Sequence, residues 1–384
     1  MTPDLGAGAD PARSVAVGSD QPRESRTPMT HARPRAWRRL LVAVASLLSI
    51  TLAVDAPAGA ARHPAPSRSR ATVVLDGLSS PRGLTAALGI VPIVGQGAFG
   101  PPGPVVMAVG RHSVDLTGPR SVVDVALAGD GGLWMLESNT GQLYRRTIFG
   151  RISHVADLPA YQAVDIDPDD NEGIPEESNP YGLAALPNGD ALVADAAGND
   201  VLRVSRTGRI RTVARFTREM VATDHIPGWE GPPALPTESV PTSIAVTRSA
   251  IYVGELKGFP FRPGSSHVYK LPLDAIDATC DATAPNRDCR VVESGLTAIT
   301  DIAVDPWTGA LYVYELAADG VLAFEAGFET GAFPPAVLLE LKGGQRRELA
   351  AGQLSQPGGV TASLGVIHVT DGVFTSGRLL RIHR

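Results

Sequence analysis

The chain has 384 residues, 34 basic and 40 acidic side chains, a formal net charge of −6, and only two cysteines. With no basic cluster after the first 60 residues, this balance argues against a nucleic-acid partner, because phosphates are bound by concentrated Lys and Arg. Two thiols alone also make a poor metal site.

Residues 1–28 are polar, carry no apolar period, and are expected to form no packed structure. Met29 is the more natural start. It opens a segment with Arg33, Arg35, Arg38 and Arg39 as a basic region, Leu40–Val54 as an apolar core, and Ala58-Gly59-Ala60 as a cleavage site. This is the pattern of a secretory signal peptide, so 1–60 is expected to be a leader. Its apolar core is short for a membrane span, and none is expected after cleavage. Removal leaves 27 basic and 35 acidic side chains, a net charge of −8. Residues 61–71 then form a flexible tether.

From Thr72 onward the chain repeats. The first strand of each copy aligns as PRGLTA (Pro81–Ala86), VVDVAL, PYGLAA, PTSIAV, ITDIAV and PGGVTA (Pro357–Ala362), with Gly83, Asp124, Gly182, Ser243, Asp301 and Gly359 at the third position. Their steps of 41, 58, 61, 58 and 58 residues fit propeller blades of four short antiparallel strands carrying insertions. The copy from Asn179 to Ala214 is the clearest: apolar runs are separated by PNGD, AGND and SRTG, and Asn-Gly supplies the positive φ of a tight hairpin. No sustained helical period is seen, which argues against a parallel α/β sheet. In the first copy PVVMAV is read as the second strand, with Leu88–Pro104 as the insert before it. The last strand, Arg378–Ile382, matches a third strand, and TVVLDGL at the front matches a fourth. The prediction is therefore all-β: a six-bladed β-propeller over 72–384, closed by the N-terminal strand completing blade six.

Further inserts are expected at Pro159–Ser178, Thr217–Ser239 and Ala326–Ser355, each joining a fourth strand to the next first strand. Because strands alternate direction, loops after second and fourth strands share one face. The acids ending the second strands, Glu137, Asp195, Glu255, Glu315 and Asp371, fall at that rim, and Asp124 and Asp301 are placed to face one another across the channel mouth. Such acids accept hydrogen bonds from turn N–H groups, or together suit a hard cation such as calcium. In the acidic insert, Asp165, Asp167, Asp169, Asn171 and Glu176 fall at positions 1, 3, 5, 7 and 12 of a calcium loop, although Asp170 replaces the usual glycine. A solvated acidic loop accounts for the same residues. Trp229, Phe259 and Phe261 sit among prolines and glycines as a hydrophobic lip or as loop anchors. Cys280 and Cys289 share a loop after the third strand of blade four and are expected to form a local disulfide in an exported protein. No serine-hydrolase elbow, zinc-binding helix motif or phosphate loop occurs.

The stretches SNPYGLAALP and VGELKGFPF, with SGLTAITDIAVDPWTGALYVYEL, resemble the ScyD/ScyE family of NHL-like six-bladed propellers over roughly Thr72–Arg384. The resemblance implies the fold and an exported location but no established activity. Together these readings lead to the expectation of a monomeric, exported binding module whose insert-bearing face recognises a small molecule, glycan, peptide or protein. The alternative is a calcium-dependent hydrolase or lactonase with carboxylates at the channel mouth.

Overall fold

A computed structural model describes residues 69–384; the expected leader and all but the last three residues of the tether lie outside the described residues. The first strand is β1 (Arg70–Ser79). Blade one follows as β2 (Leu84–Ala87), β3 (Val91–Val94), β4 (Gly103–Val109) and β5 (His112–Arg120). Blade two is β6 (Val122–Leu127), β7 (Leu133–Glu137), β8 (Gln142–Arg146) and β9 (Ile152–Asp157). A short helix α1 (Leu158–Gln162) leads to blade three, β10 (Pro180–Ala185), β11 (Ala191–Asp195), β12 (Asp200–Val204) and β13 (Ile210–Phe216). The hairpin β14 (Glu219–Ala222) and β15 (Ala234–Thr237) precedes blade four: β16 (Pro241–Val246), β17 (Ile251–Glu255), β18 (Ser266–Leu271) and, after the short β19 (Ala278–Cys280), β20 (Arg290–Leu296). Blade five is β21 (Ile299–Val304) and β22 (Leu311–Glu315), then helix α2 (Gly320–Thr330), β23 (Val337–Lys342) and β24 (Gln345–Leu349). Blade six is β25 (Pro357–Ser363), β26 (Val366–Asp371) and β27 (Ser376–His383). Its fourth strand is β1, which pairs antiparallel with β27 from Arg70 opposite His383 to Ser79 opposite Ser376. The expected six-bladed propeller and its N-terminal closure are both present.

The near-continuous apolar runs follow from this packing. Within β11, Leu192 lies in the gap between blades three and four, while the next residue, Val193, lies in the gap between blades two and three. Both faces of each blade are covered, so alternation between apolar and polar residues is lost. Each of the six gaps holds its own apolar cluster, and each buried Val or Leu contributes about 1.5–3 kcal/mol. Gly189 and Gly208, at φ +87 each, supply the left-handed residue of two hairpin turns of blade three, and Asn199, at φ +48, supplies that of the third.

Three expectations are corrected. In blade one the second strand is β3, not PVVMAV, which lies in the third strand β4; the insert therefore follows the second strand rather than preceding it. Only four residues long and interrupted by Pro92, β3 carries little period to read. In blade five, Ala326–Ser355 is not one insert, because it contains β23 and β24. The inserted segment lies between β22 and β23 and contains α2, an 11-residue helix that the sequence reading did not expect. Its apolar residues surround the axis, so its periodicity is weak, and Gly331 ends it in the left-handed region. The cysteine loop also adds a strand to the neighbouring blade, with β19 running parallel to β13. The Cys280–Cys289 disulfide is formed as expected.

Candidate functional site

The segments after second and fourth strands gather on one face, and the corrected insert of blade five stays there because a loop after a second strand has the same polarity. At the centre, the second position of each inner strand approaches the propeller axis. Arg82 holds that position for blade one and is only 1% exposed. Its Nη1 donates to the carbonyls of Tyr181 at 2.9 Å and Val123 at 3.4 Å; its Nη2 donates to those of Thr242 at 3.1 Å and Thr300 at 3.0 Å. One guanidinium thus ties together the inner strands of blades two to five. The Tyr181 ring lies 3.8 Å from its Cζ, and Asp124 Oδ2 lies 3.4 Å from Nη1. The strands must come close for this. A Cβ on Gly83 would stand 2.7 Å from the Asp124 Cα, and one on Gly182 would stand 2.6 Å from the Thr242 oxygen.

Asp124 and Asp301 flank this arginine. Asp124 Oδ2 accepts from the Leu183 N–H at 2.7 Å and Asp301 Oδ2 from the Val360 N–H at 2.7 Å, so each also latches its blade to the next. Burial and then the Asp124 charge push the Asp301 carboxyl up to about 7, against the opposing pull of Arg82. The positive charge beside the two carboxylates is supplied by the chain itself.

The strand-end acids divide into two kinds. Asp195 accepts from the Asn179 N–H at 2.6 Å, Glu315 from the Thr297 N–H at 2.8 Å, and Asp371 from the Ser355 N–H at 2.8 Å, in each case stapling the approach to the same blade's first strand. Glu255 accepts from the His267 N–H at 3.0 Å and Nδ1 at 2.5 Å and from the Ser239 hydroxyl, and it lies 3.1 Å from Lys257 Nζ. Burial would raise Glu255, but Lys257 and His267 hold it below the usual carboxylate range. Lys257 also pairs with Glu219 at 2.9 Å, clamping the β14–β15 hairpin to blade four. Glu137 differs from these four. It accepts only from the Thr140 hydroxyl at 3.0 Å, with Arg120 Nη1 at 3.7 Å.

The calcium-spaced residues are each engaged by protein donors, Glu176 excepted. Asp165 accepts from Arg215 at 2.5 Å and from the Thr212 hydroxyl; Asp167 from Asn199 Nδ2 and the Asp169 N–H, both at 2.8 Å; and Asn171 Oδ1 from Arg218 at 2.9 Å. Asp169 lies 3.4 Å from Arg218, while Glu176 stays on the outer part of the loop. Among the described residues no group of three or more His, Cys, Asp or Glu is placed to hold one metal ion. Carboxylates nevertheless crowd here: burial, then Glu172, Asp167 and Asp170, push Glu238 up to about 7.

An aromatic ridge crosses the same face. Tyr181 and Phe99 have ring centroids 6.3 Å apart, Phe99 stacks on Phe374 at 4.9 Å, and Phe374 meets Phe328 at 5.3 Å. Phe333 lies 4.9 Å from both Phe324 and Phe328. Phe261 packs against the same cluster and continues through Phe259 at 5.8 Å to Trp229 at a further 5.7 Å. Only these last three, half-buried here, stand out in the sequence; the others are Tyr181 of β10 in blade three and rings from segments of blades one, five and six, which meet only in the closed ring. Phe328 is 47% exposed and Met220, on the β14–β15 hairpin, 66%. Beside the ridge, Phe99, Glu137, Asn139, Asn179 and Tyr181 line a cavity of about 70 Å³.

The sequence matches no protein-family model, and no curated protein matches it. Solved propellers do resemble it in shape. A structural genomics protein of unknown function from Bacteroides thetaiotaomicron is 13% identical, with 82% of this chain and 76% of that chain covered and a TM-score of 0.50. Virginiamycin B lyase from Staphylococcus aureus is 16% identical, with 79% and 82% covered and a TM-score of 0.44. The PQQ-bound aldose sugar dehydrogenase from Streptomyces coelicolor is 12% identical, with 83% and 99% covered and a TM-score of 0.47. At such identities the likeness speaks for the fold alone.

Proposed function

We propose that this chain is an exported, monomeric recognition module that binds a small molecule, glycan, peptide or protein on its insert-bearing face. The observation that carries the reading is the aromatic ridge. Rigid rings assembled from several blades, with Phe328 and Met220 open to solvent, form the kind of surface that recognition uses. The carboxylates that could serve catalysis at the axis are instead engaged by Arg82 and backbone N–H groups. Export draws on the signal-like leader and on the Cys280–Cys289 disulfide, which fits an oxidising compartment. Among the described residues no helix is long and apolar enough to cross a membrane. The resemblance to the ScyD/ScyE family belongs to this proposal and rests on the SNPYGLAALP and VGELKGFPF stretches.

The test is a screen of glycan and peptide arrays with the wild type, Phe328→Asp on the ridge, and Phe149→Asp on the opposite face. Binding lost only in Phe328→Asp supports the reading. Binding lost only in Phe149→Asp moves recognition to the other face. The alternative, a calcium-dependent hydrolase or lactonase, draws on the crowded carboxylates around Glu238 and Glu172, whose repulsion a divalent cation would relieve. Calorimetry with calcium chloride on the wild type and on Glu238→Gln, followed by a lactone and ester screen, tests it. Absence of both heat and turnover removes it.

A further inference from the structure

Glu137 occupies the position that in blades three to six is a buried acid accepting a backbone N–H, yet it makes no such bond, and its side chain is 23% exposed. Among the described residues it is also the only charged one lining the 70 Å³ cavity between the blade-one loop and the starts of blades two and three. The side-chain amides of Asn139 and Asn179, in the same lining, make no hydrogen bond to any of the described residues. Glu137 Oε2 is taken by the Thr140 hydroxyl, so the acceptors left to the cavity are Glu137 Oε1, which makes no hydrogen bond and has Arg120 Nη1 at 3.7 Å, and two amide oxygens.

Size and wall chemistry narrow what enters. Pockets that enclose a whole ligand run to about 300–1,000 Å³, so this one fits a terminal group on a thin stem. A sugar ring would need an open aromatic face. One face of Tyr181 is taken by Arg82 at 3.8 Å and one face of Phe99 by Phe374 at 4.9 Å, so the two rings serve as apolar walls for methylenes. The neighbouring cations do not cancel the carboxylate. Arg82 lies beyond the Tyr181 ring and is balanced by Asp124 and Asp301, while Arg120 is drawn over the Tyr144 ring at 4.9 Å and stays 3.7 Å from Glu137.

We infer that this cavity is a subsite for a primary alkylammonium group, whose three N–H donors meet Glu137, Asn139 and Asn179 while its methylene stem lies against Phe99 and Tyr181. The inference deepens the reading of this face as a recognition surface and rests on it. The same chemistry is carried by a lysine side chain of a partner protein and by a free small amine.

The purified protein is titrated, with NMR detection, with Nα-acetyl-lysine methylamide, its norleucine counterpart and n-butylammonium. Saturable binding of the two amines, at least tenfold tighter than norleucine, is expected. Glu137→Gln weakens it at least tenfold without changing the melting temperature, and Arg120→Ala, which removes the competing cation, strengthens it several-fold. Tighter binding of the lysine amide supports a partner lysine; tighter binding of butylammonium supports a free amine. Equal binding of lysine and norleucine, or amine binding indifferent to both substitutions, overturns the subsite. If array binding that depends on Phe328 persists in that case, only the subsite fails; if it is absent too, the reading of the face fails with it.

Discussion

Replacing Arg82 with Met removes a guanidinium that serves four carbonyls and one carboxylate at the propeller axis. Methionine fills much of the volume but donates nothing. Removing one partner from a buried charge network costs about 3–5 kcal/mol, because the remaining charge is left without compensation. We take about 4 kcal/mol, the middle of that range. Unfolding entropy of about 2.1 cal/mol/K per residue, summed over the described residues, gives roughly 0.7 kcal/mol/K, so the melting temperature falls by about 6 °C. Scanning calorimetry reads this directly. Much of the loss comes from the stranded carboxylates, so adding Asp124→Asn and Asp301→Asn to Arg82→Met restores about half of it. A drop of less than about 2 °C, or a triple variant less stable than the single one, refutes the assignment of Arg82 as the axial clamp.

Three other outcomes follow from the same structure. Burial pushes Glu315 up to about 7, so the folded state binds a proton more readily than the unfolded state between about pH 4.5 and 7. Stability is therefore lost as pH rises through that window, on the order of 3 kcal/mol for this group, and Glu315→Gln flattens that part of the melting-temperature profile. Reducing the Cys280–Cys289 bond, which spans nine positions, costs roughly 2 kcal/mol in urea unfolding, and Cys280→Ser with Cys289→Ser reproduces it. Deleting 69–79 removes β1 and bares the edge of β27; light scattering then shows association, whereas a monodisperse truncated protein contradicts the closure.

The blade count was legible because six inner strands repeat a short pattern, with glycine, serine or aspartate at the third position. The glycines there are explained by close approach at the axis. The clamp itself was also written in the sequence: Arg82 is the only charged residue among the six second positions, the others being Val123, Tyr181, Thr242, Thr300 and Gly358. Its meaning depends on which carbonyls converge, which spacing does not reveal. The third and fourth strands of blade five were hidden because α2 has apolar residues on every side and pushes β23 away from β22 in sequence. The ridge was only partly visible for a related reason. Phe259, Phe261 and Trp229 announce themselves among prolines and glycines, but Phe99, Phe328 and Phe374 lie up to 275 positions apart in the chain and meet only through ring closure. The opposite limit appears in the acidic insert, where regular spacing from Asp165 to Glu176 coincides with carboxylates turned toward separate protein donors.

The central claim is that recognition takes place on the insert-bearing face. Hydroxyl-radical footprinting of the protein, free and in a cell-envelope extract, tests it whatever the ligand is. The account predicts protection concentrated at Phe328, Met220 and Trp229, with Phe149 and Trp307 on the opposite face unchanged. Protection at Phe149 and Trp307 with Phe328 unchanged would contradict it.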